Sequence, residues 1–219
     1  MRIPRPFTHV IFDLDGVLLD TEPLYTEATQ AIVGELGKTF DWSVKGDMIG
    51  RSALDGARYL AEKLALPISP EEYLRRRKPI LDALFTTARE MAGARSLVEM
   101  LQERVPVALA TSSTREQFEL KTGHHDWFSD FDTIVCGDDP RVKALKPAPD
   151  IFLVTARELS VAPESCLVFE DSLAGVAAAR AAGMQVIAMP DPEMDASRYT
   201  EAHWVIERLG DVSLADLGL

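Results

Sequence analysis

Apolar residues along this chain gather in short, nearly unbroken runs, most of which end on a polar residue. His9-Val10-Ile11-Phe12 stops at Asp13, Val105-Pro106-Val107-Ala108-Leu109-Ala110 stops at Thr111, and Cys166-Leu167-Val168-Phe169 stops at Glu170. Two further runs cover Thr133-Ile134-Val135-Cys136-Gly137 and Gln185-Val186-Ile187-Ala188-Met189. Hydrophobicity that is continuous rather than alternating predicts strands buried on both faces, as in a parallel sheet covered by helices. Between the runs the period changes. Ala94, Leu97, Val98 and Leu101 recur at the i, i+3, i+4, i+7 spacing of one buried helical face. Ile151, Phe152, Val154 and Thr155 open another helix, with Asp150 placed to cap it. The alanine-rich stretch Leu173 to Ala182 runs into Gly183, a C′ residue.

Strand and helix in alternation predict an α/β fold, a Rossmann-like doubly wound parallel sheet. One stretch departs from the alternation. From about Thr21 to Arg89 the pattern is helical throughout. Leu54, Ala57, Ala61 and Leu64 share one face; Leu74, Arg77, Leu81 and Leu84 partly share another, with Pro79 expected to kink or break that helix. The expected organisation is therefore a core of residues 1–20 and 88–219, with an all-helical domain of residues 21–87 inserted after the first strand.

Composition narrows the range of partners. With 219 residues the chain can bury one sizeable core and a small accessory domain. Its formal net charge of −12 argues against nucleic-acid polymers and anionic membranes, which would be repelled. A small phosphate ester remains open, because a metal ion and one lysine reverse the field locally. Cys136 and Cys166, each beside apolar residues, are expected as reduced thiols packed as small hydrophobes. Met1 to Thr8 lacks an apolar signal segment, and no run approaches the ~20 apolar residues of a membrane span, so a cytoplasmic protein is expected. With no long apolar stripe calling for a partner, a monomer is expected.

Ligands of open parallel sheets bind beyond the carboxyl ends of the strands. The polar residues that end the runs are thus the candidates: Asp13 and Asp15, Thr111 and Ser112, Glu170 and Asp171, with Lys146 just before Pro147. Four carboxylates converging at one edge repel one another unless a hard cation sits among them. Oxygen ligands of this kind suit Mg²⁺, and a partly hydrated Mg²⁺ is a common partner of phosphate, so the residues point to phosphoryl transfer. Singly, each motif has a plainer meaning: D-x-D-G a turn, Thr-Ser-Ser a helix cap, Lys-Pro a surface element, Glu-Asp-Ser a helix start. Their joint occurrence at successive strand ends favours a site.

At this point the residues resemble a known family. Val10-Ile11-Phe12-Asp13-Leu14-Asp15-Gly16-Val17, Ala110-Thr111-Ser112, Lys146-Pro147-Ala148-Pro149-Asp150 and Phe169-Glu170-Asp171-Ser172 with Gly175-Val176 resemble the four motifs of the haloacid-dehalogenase superfamily, and the helical insertion resembles its first type of cap. The resemblance implies that Asp13 attacks phosphorus and becomes an aspartyl-phosphate, and that Asp15 acts as acid and then base. It implies that the Thr111 hydroxyl and the Ser112 amide hold phosphoryl oxygens and that Lys146 neutralises charge. Mg²⁺ would lie among Asp13, the Asp15 carbonyl and Asp171, with Glu170 near. Asp15 favours phosphate esters over carbon–halogen bonds, since an alkoxide leaving group needs an acid and a halide does not.

In the insertion, Ile49-Gly50-Arg51-Ser52 resembles a substrate-specificity loop in which Gly50 and Arg51 would meet the substrate, the alternative for Arg51 being a solvated arginine at a helix start, and Glu22 and Tyr25 are expected to line the cleft. Tyr25 stands where similar β-phosphoglucomutases carry a histidine, which weakens a phosphomutase alternative. A catalytically silent binding protein ranks last, because Asp13, Asp15, Lys146 and Asp171 are all present. Core segments such as Cys136-Gly137-Asp138-Asp139-Pro140 are similar to the pseudouridine 5′-phosphatase group, making pseudouridine 5′-phosphate the leading candidate among sugar phosphates and nucleotides. His124-His125 is expected as a solvated pair rather than a transition-metal site, His9 and His203 show no ligand pattern for such a site either, the three tryptophans are expected as packing residues, and Arg75-Arg76-Arg77-Lys78 as a solvated helix face.

Overall fold

The computed structural model describes residues 5–48 and 52–219. In chain order its strands and helices are β1 (His9–Phe12), β2 (Leu19–Asp20), α1 (Glu22–Glu35), α2 (Trp42–Met48), α3 (Ala53–Lys63), α4 (Pro70–Phe85), β3 (Arg89–Glu90), α5 (Ala94–Gln102), β4 (Val107–Thr111), α6 (Arg115–Thr122), β5 (Thr133–Cys136), α7 (Asp150–Glu158), β6 (Cys166–Glu170), α8 (Leu173–Ala181), β7 (Gln185–Ala188), β8 (Trp204–Val205) and α9 (Leu214–Leu217). They form two compact units, residues 1–20 with 89–219, and residues 21–88.

The first unit is an α/β sheet in the order β5-β4-β1-β6-β7-β8, parallel throughout. β1 lies at the centre, pairing Val10 with Val107 of β4 on one side and with Leu167 of β6 on the other. Every residue of β4, β6 and β7 is buried, which is why these runs carry no polar alternation. After β1 the chain fills one side of the sheet and then crosses to fill the other. The carboxyl ends of β1, β4 and β6 therefore flank the switch point where such sheets bind ligands. α5 buries Ala94, Leu97, Val98 and Leu101, and α7 buries Ile151, Phe152, Val154 and Thr155, the faces that the periodicity predicts. Gly183 follows α8 with φ +81°, the left-handed C′ position.

Three short strands carry no periodic signal. β2 and β3 pair antiparallel, Leu19 with Glu90 and Asp20 with Arg89, so the insertion leaves and re-enters the core through adjacent strands. β8 adds an edge through Ile187–Trp204 and Ala188–Val205, making Trp204 a strand residue. Asp150 is a correction: it opens α7 without capping it, and its Oδ1 accepts instead from the Lys143 and Ala144 amides at 3.1 and 3.2 Å.

The second unit holds α1 to α4 around Ile32, Val33, Phe40, Leu60 and Tyr73, with a buried Thr29–Tyr73 hydroxyl bond of 2.8 Å. Pro79 does not break α4, which runs from Pro70 to Phe85 through it. Pro79 and Arg75 are both exposed, so the carbonyl that loses its helical partner faces water. Among the described residues, no helix is long and apolar enough to cross a membrane.

Candidate active site

β1 delivers Asp13 to the edge of the sheet. The Asp13 amide makes a final rung to the Phe169 carbonyl at 2.9 Å, and the residue is only 6% exposed. The chain then turns at Gly16, whose φ is +75°. A Cβ there would fall 2.3 Å from Asp171 Oδ2, so glycine serves both the backbone and the close approach of the loop after β6. β6 ends in Glu170, which is buried and accepts through Oε2 from the Ser172 amide and hydroxyl at 3.0 and 3.1 Å. Ser172 in turn caps α8 by accepting from the Gly175 amide at 3.0 Å. Gly175 passes so near Glu170 that a Cβ would stand 1.8 Å from its carboxyl carbon.

Lys146 comes from the loop between β5 and α7, at a cis peptide bond to Pro147. Its ammonium donates to Asp13 Oδ1 and Glu170 Oε1, both at 2.5 Å, and to the Ala110 carbonyl at 3.3 Å. Asp150 helps hold this loop through the two amides already described. Burial pushes the Asp13 carboxyl upward. Lys146 opposes that shift, and the neighbouring charges of Glu170 and Asp15 add to it. Lys146 is also buried, which works against its charge, yet Asp13 and Glu170 together hold it above the usual ammonium value.

Asp13, Glu170 and Asp171 each offer an oxygen, and these atoms lie within 4.8 Å of one another. Among the described contacts, three carboxylates gather about one ammonium, an excess of negative charge in a largely buried place. All-oxygen donors with that excess fit a hard divalent cation such as Mg²⁺. The Asp15 carboxylate belongs to a different cluster. Lys121, from α6, donates to its Oδ1 at 2.6 Å, and the Ser113 hydroxyl donates to its Oδ2 at 3.0 Å.

Thr111 ends β4 fully buried, its Oγ1 accepting from the Ser113 amide at 3.1 Å. Ser112 is exposed, and its carbonyl is approached so closely by Gly137 that a Cβ there would lie 2.4 Å away. Glu22 and Tyr25 belong to the helical unit. Glu22 pairs with Lys45 at 3.1 Å, and the Tyr25 ring meets Phe85 edge-on, with Arg77 over its face. Gly50 and Arg51, with Ile49, lie outside the described residues.

Three residues at this edge escape the sequence patterns: Lys121, Ser113 and Tyr199, whose hydroxyl donates to the Asp171 carbonyl at 2.7 Å. The signal for Lys121 is its position three after Phe118 on the inward face of α6. One histidine expectation changes, since His125 of the pair expected to be solvated is largely buried. His125 lies 3.2 Å from Glu90, and His203 accepts from the Val186 amide through Nδ1 while its Nε2 faces Arg180. Cys136 and Cys166 are free and buried thiols, and burial pushes them up to about 11 and about 12, as expected of inert packing residues.

Residues 10–189 match the family described as Haloacid dehalogenase-like hydrolase. The chain is 44% identical over 223 residues to the "Probable pseudouridine-5'-phosphatase" of Drosophila melanogaster, covering 100% of this chain and 96% of that one. It is 42% identical over 219 residues to (DL)-glycerol-3-phosphatase 2 of Arabidopsis thaliana, covering 97% of this chain and 91% of that one. Among solved structures it is similar to a HAD family hydrolase of Deinococcus radiodurans R1 with bound phosphate and sodium, at a TM-score of 0.81, 27% identity and 97% coverage of each chain.

Proposed function

The chain belongs to the haloacid dehalogenase-like hydrolase family and is a phosphoric monoester hydrolase; from that premise we propose a two-displacement mechanism on small phosphorylated metabolites, with Asp13 as nucleophile and Asp15 as acid and base. The observation that carries this reading is the contrast within one D-x-D segment. Asp13 is buried against Lys146 and Glu170, while Asp15, two residues on, faces Lys121 and Ser113.

In the first displacement an Asp13 carboxylate oxygen bonds to phosphorus as the ester P–O bond breaks. The leaving alkoxide takes a proton from Asp15 and departs as alcohol, leaving an acyl phosphate on Asp13. In the second, Asp15 takes a proton from water as the water oxygen bonds to phosphorus and the Asp13–phosphorus bond breaks. Ester and water become alcohol and inorganic phosphate, and both aspartates return to their starting states. Lys146 keeps Asp13 aligned and offsets negative charge on the phosphoryl group. Thr111 and Ser112 are assigned to its peripheral oxygens.

Asp13, Glu170 and Asp171 are assigned to Mg²⁺, with the Asp15 carbonyl. When bound, the ion supplies positive charge against the phosphoryl oxygens. The substrate class is a phosphate ester of a small polyol, sugar or nucleoside. Relatives of nearly equal identity are named for different substrates within that class. Pseudouridine 5′-phosphate is the first substrate to try, with glycerol 3-phosphate beside it.

Phosphate release with Mg²⁺ across both compounds, other sugar phosphates and nucleotides tests the reading. One ester far ahead of the rest fixes the substrate. No release from any phosphate monoester, 4-nitrophenyl phosphate included, would sink the proposal.

A further inference from the structure

Lys121 carries a charge on the buried face of a helix. α6 turns Phe118, Lys121 and Thr122 inward at i, i+3 and i+4, places that an amphipathic helix ordinarily fills with apolar residues. The Lys121 side chain has no exposed surface. An ammonium in such a place is tolerated only when paired and fully hydrogen-bonded. Its nitrogen reaches Asp15 Oδ1 at 2.6 Å and Ser113 Oγ at 2.8 Å, and Ser113 passes its own hydrogen to Asp15 Oδ2 at 3.0 Å. One ammonium thus holds both oxygens of one carboxylate, the first directly and the second through a hydroxyl. The support is itself fixed: the Ser113 amide bonds Thr111 Oγ1, and the next residue, Thr114, starts α6 in a reciprocal capping box with Gln117.

We infer that Lys121 and Ser113 are positioning residues that orient Asp15, leaving Oδ2 as the oxygen that hands over and retrieves the proton. This rests on the reading of Asp15 as acid and base. A lysine nitrogen donates and never accepts, so Oδ1 beside it is an acceptor only. The Ser113 hydroxyl rotates between donor and acceptor and therefore suits Oδ2 with or without a proton. A misplacement of about 1 Å in a reacting group costs on the order of 10²-fold in rate, so a carboxylate freed to swing is a poor acid even when chemically intact.

The leaving group separates this role from a merely structural ion pair. A 4-nitrophenolate departs without a proton, whereas an alkoxide needs one. With Mg²⁺ present, kcat and KM are measured for wild type, Asp15→Asn, Lys121→Met and Ser113→Ala on 4-nitrophenyl phosphate and on the best alkyl ester of the panel. Lys121→Met and Asp15→Asn are each expected to lower kcat about tenfold or more further for the alkyl ester than for the aryl ester, with KM little changed. Ser113→Ala is expected to move the same ratio the same way by about threefold, the size of one lost hydrogen bond. If Asp15→Asn separates the two esters while Lys121→Met and Ser113→Ala slow both alike, the positioning role is overturned and the acid–base reading of Asp15 stands. If Asp15→Asn itself treats the esters alike, that reading falls and this inference with it. Should Lys121→Met not fold, Ser113→Ala decides, and an unchanged ratio overturns the inference.

Discussion

Two buried lysines stand at the carboxyl edge of this sheet, and their surroundings differ in charge. Lys146 faces Asp13 and Glu170, with Asp171 completing a group of three carboxylates. Lys121 faces one carboxylate, Asp15, and the neutral hydroxyl of Ser113. Lys121 and Ser113 together engage both oxygens of Asp15, an arrangement suited to holding that carboxyl group still. Around Lys146 negative charge is in excess, and Asp13 feels it through Glu170 and Asp15 in addition to its own burial. Repulsion of that kind disfavours the carboxylate form of Asp13, and a divalent cation would relieve it. One lysine therefore sits among three carboxylates whose donor set suits a divalent cation, the other against a single carboxylate that it orients with a hydroxyl.

The widest break in this comparison comes from Asp13, the proposed nucleophile. Asp13→Asn is expected to lower phosphate release by on the order of 10⁴-fold or more, since the amide cannot form the acyl phosphate. The fold should survive, because the change removes one of the crowded charges and keeps the side-chain shape. Single-turnover phosphate release and a thermal melt test both halves, and a near-normal rate would remove the covalent route.

Metal comes next. Chelation of divalent ions is expected to cost about 10³-fold, several kcal/mol of charge stabilisation, with Mg²⁺ restoring the rate. A melt carries the same information without turnover. Mg²⁺ at a hundredfold excess over its Kd should stabilise the protein by about 2.7 kcal/mol. Lys121→Met should keep that Mg²⁺-dependent shift in Tm, and Asp171→Asn should lose it. A shift lost equally in both variants would erase the distinction between the two lysines.

A smaller effect separates the lysines by chemistry. Lys146→Met is expected to slow alkyl and aryl phosphates to a similar extent, about 10²-fold, because charge on the phosphoryl group is common to both esters. The loss at Lys121 should follow the leaving group instead. Matching profiles for the two lysines would mean that they share one role.

How much of this was readable in the chain varies with what each residue touches. The five longer strands were legible because their apolar runs are nearly continuous, with β4, β6 and β7 buried throughout, and the polar residues at the ends of β1, β4 and β6 then marked the candidate edge. β2, β3 and β8 span two residues each, too few for any period to show. Lys146 announced itself through Lys-Pro at a loop, whereas a lysine in the last turn of a helix, as Lys121 is, has an ordinary place there because the helix dipole favours it. Only the packing of α6 against Asp15 separates the two meanings, and that contact joins residues 106 apart in sequence. Asp150 misled in the opposite sense. An aspartate before an apolar helix has cap chemistry, but its oxygen had nearer amides in the loop that carries Lys146.

The smallest effect, and the finest probe of the charged cluster, lies at Gly175. It is in the first turn of α8, where alanine would gain about 1 kcal/mol in helix propensity. The added Cβ would stand 1.8 Å from the Glu170 carboxyl carbon, however, and so cannot be accommodated without movement. Glu170 is the group that must move, and it is tied by Lys146 at 2.5 Å and by Ser172 through two bonds. α8 itself is held by its Ser172 cap and by the burial of Val176, Ala178 and Ala179, so the helix should persist. Gly175→Ala should therefore leave Tm within a few degrees of wild type, the gain in propensity offsetting part of the strain. Activity should fall by about tenfold, the scale of a lost charge-assisted hydrogen bond, with a weaker Mg²⁺ response. A melt with and without Mg²⁺ beside one kcat measurement is enough. Full activity with an undiminished Mg²⁺ shift would mean that the position of Glu170 is immaterial to the cation, and the excess charge around Lys146 would then need another explanation.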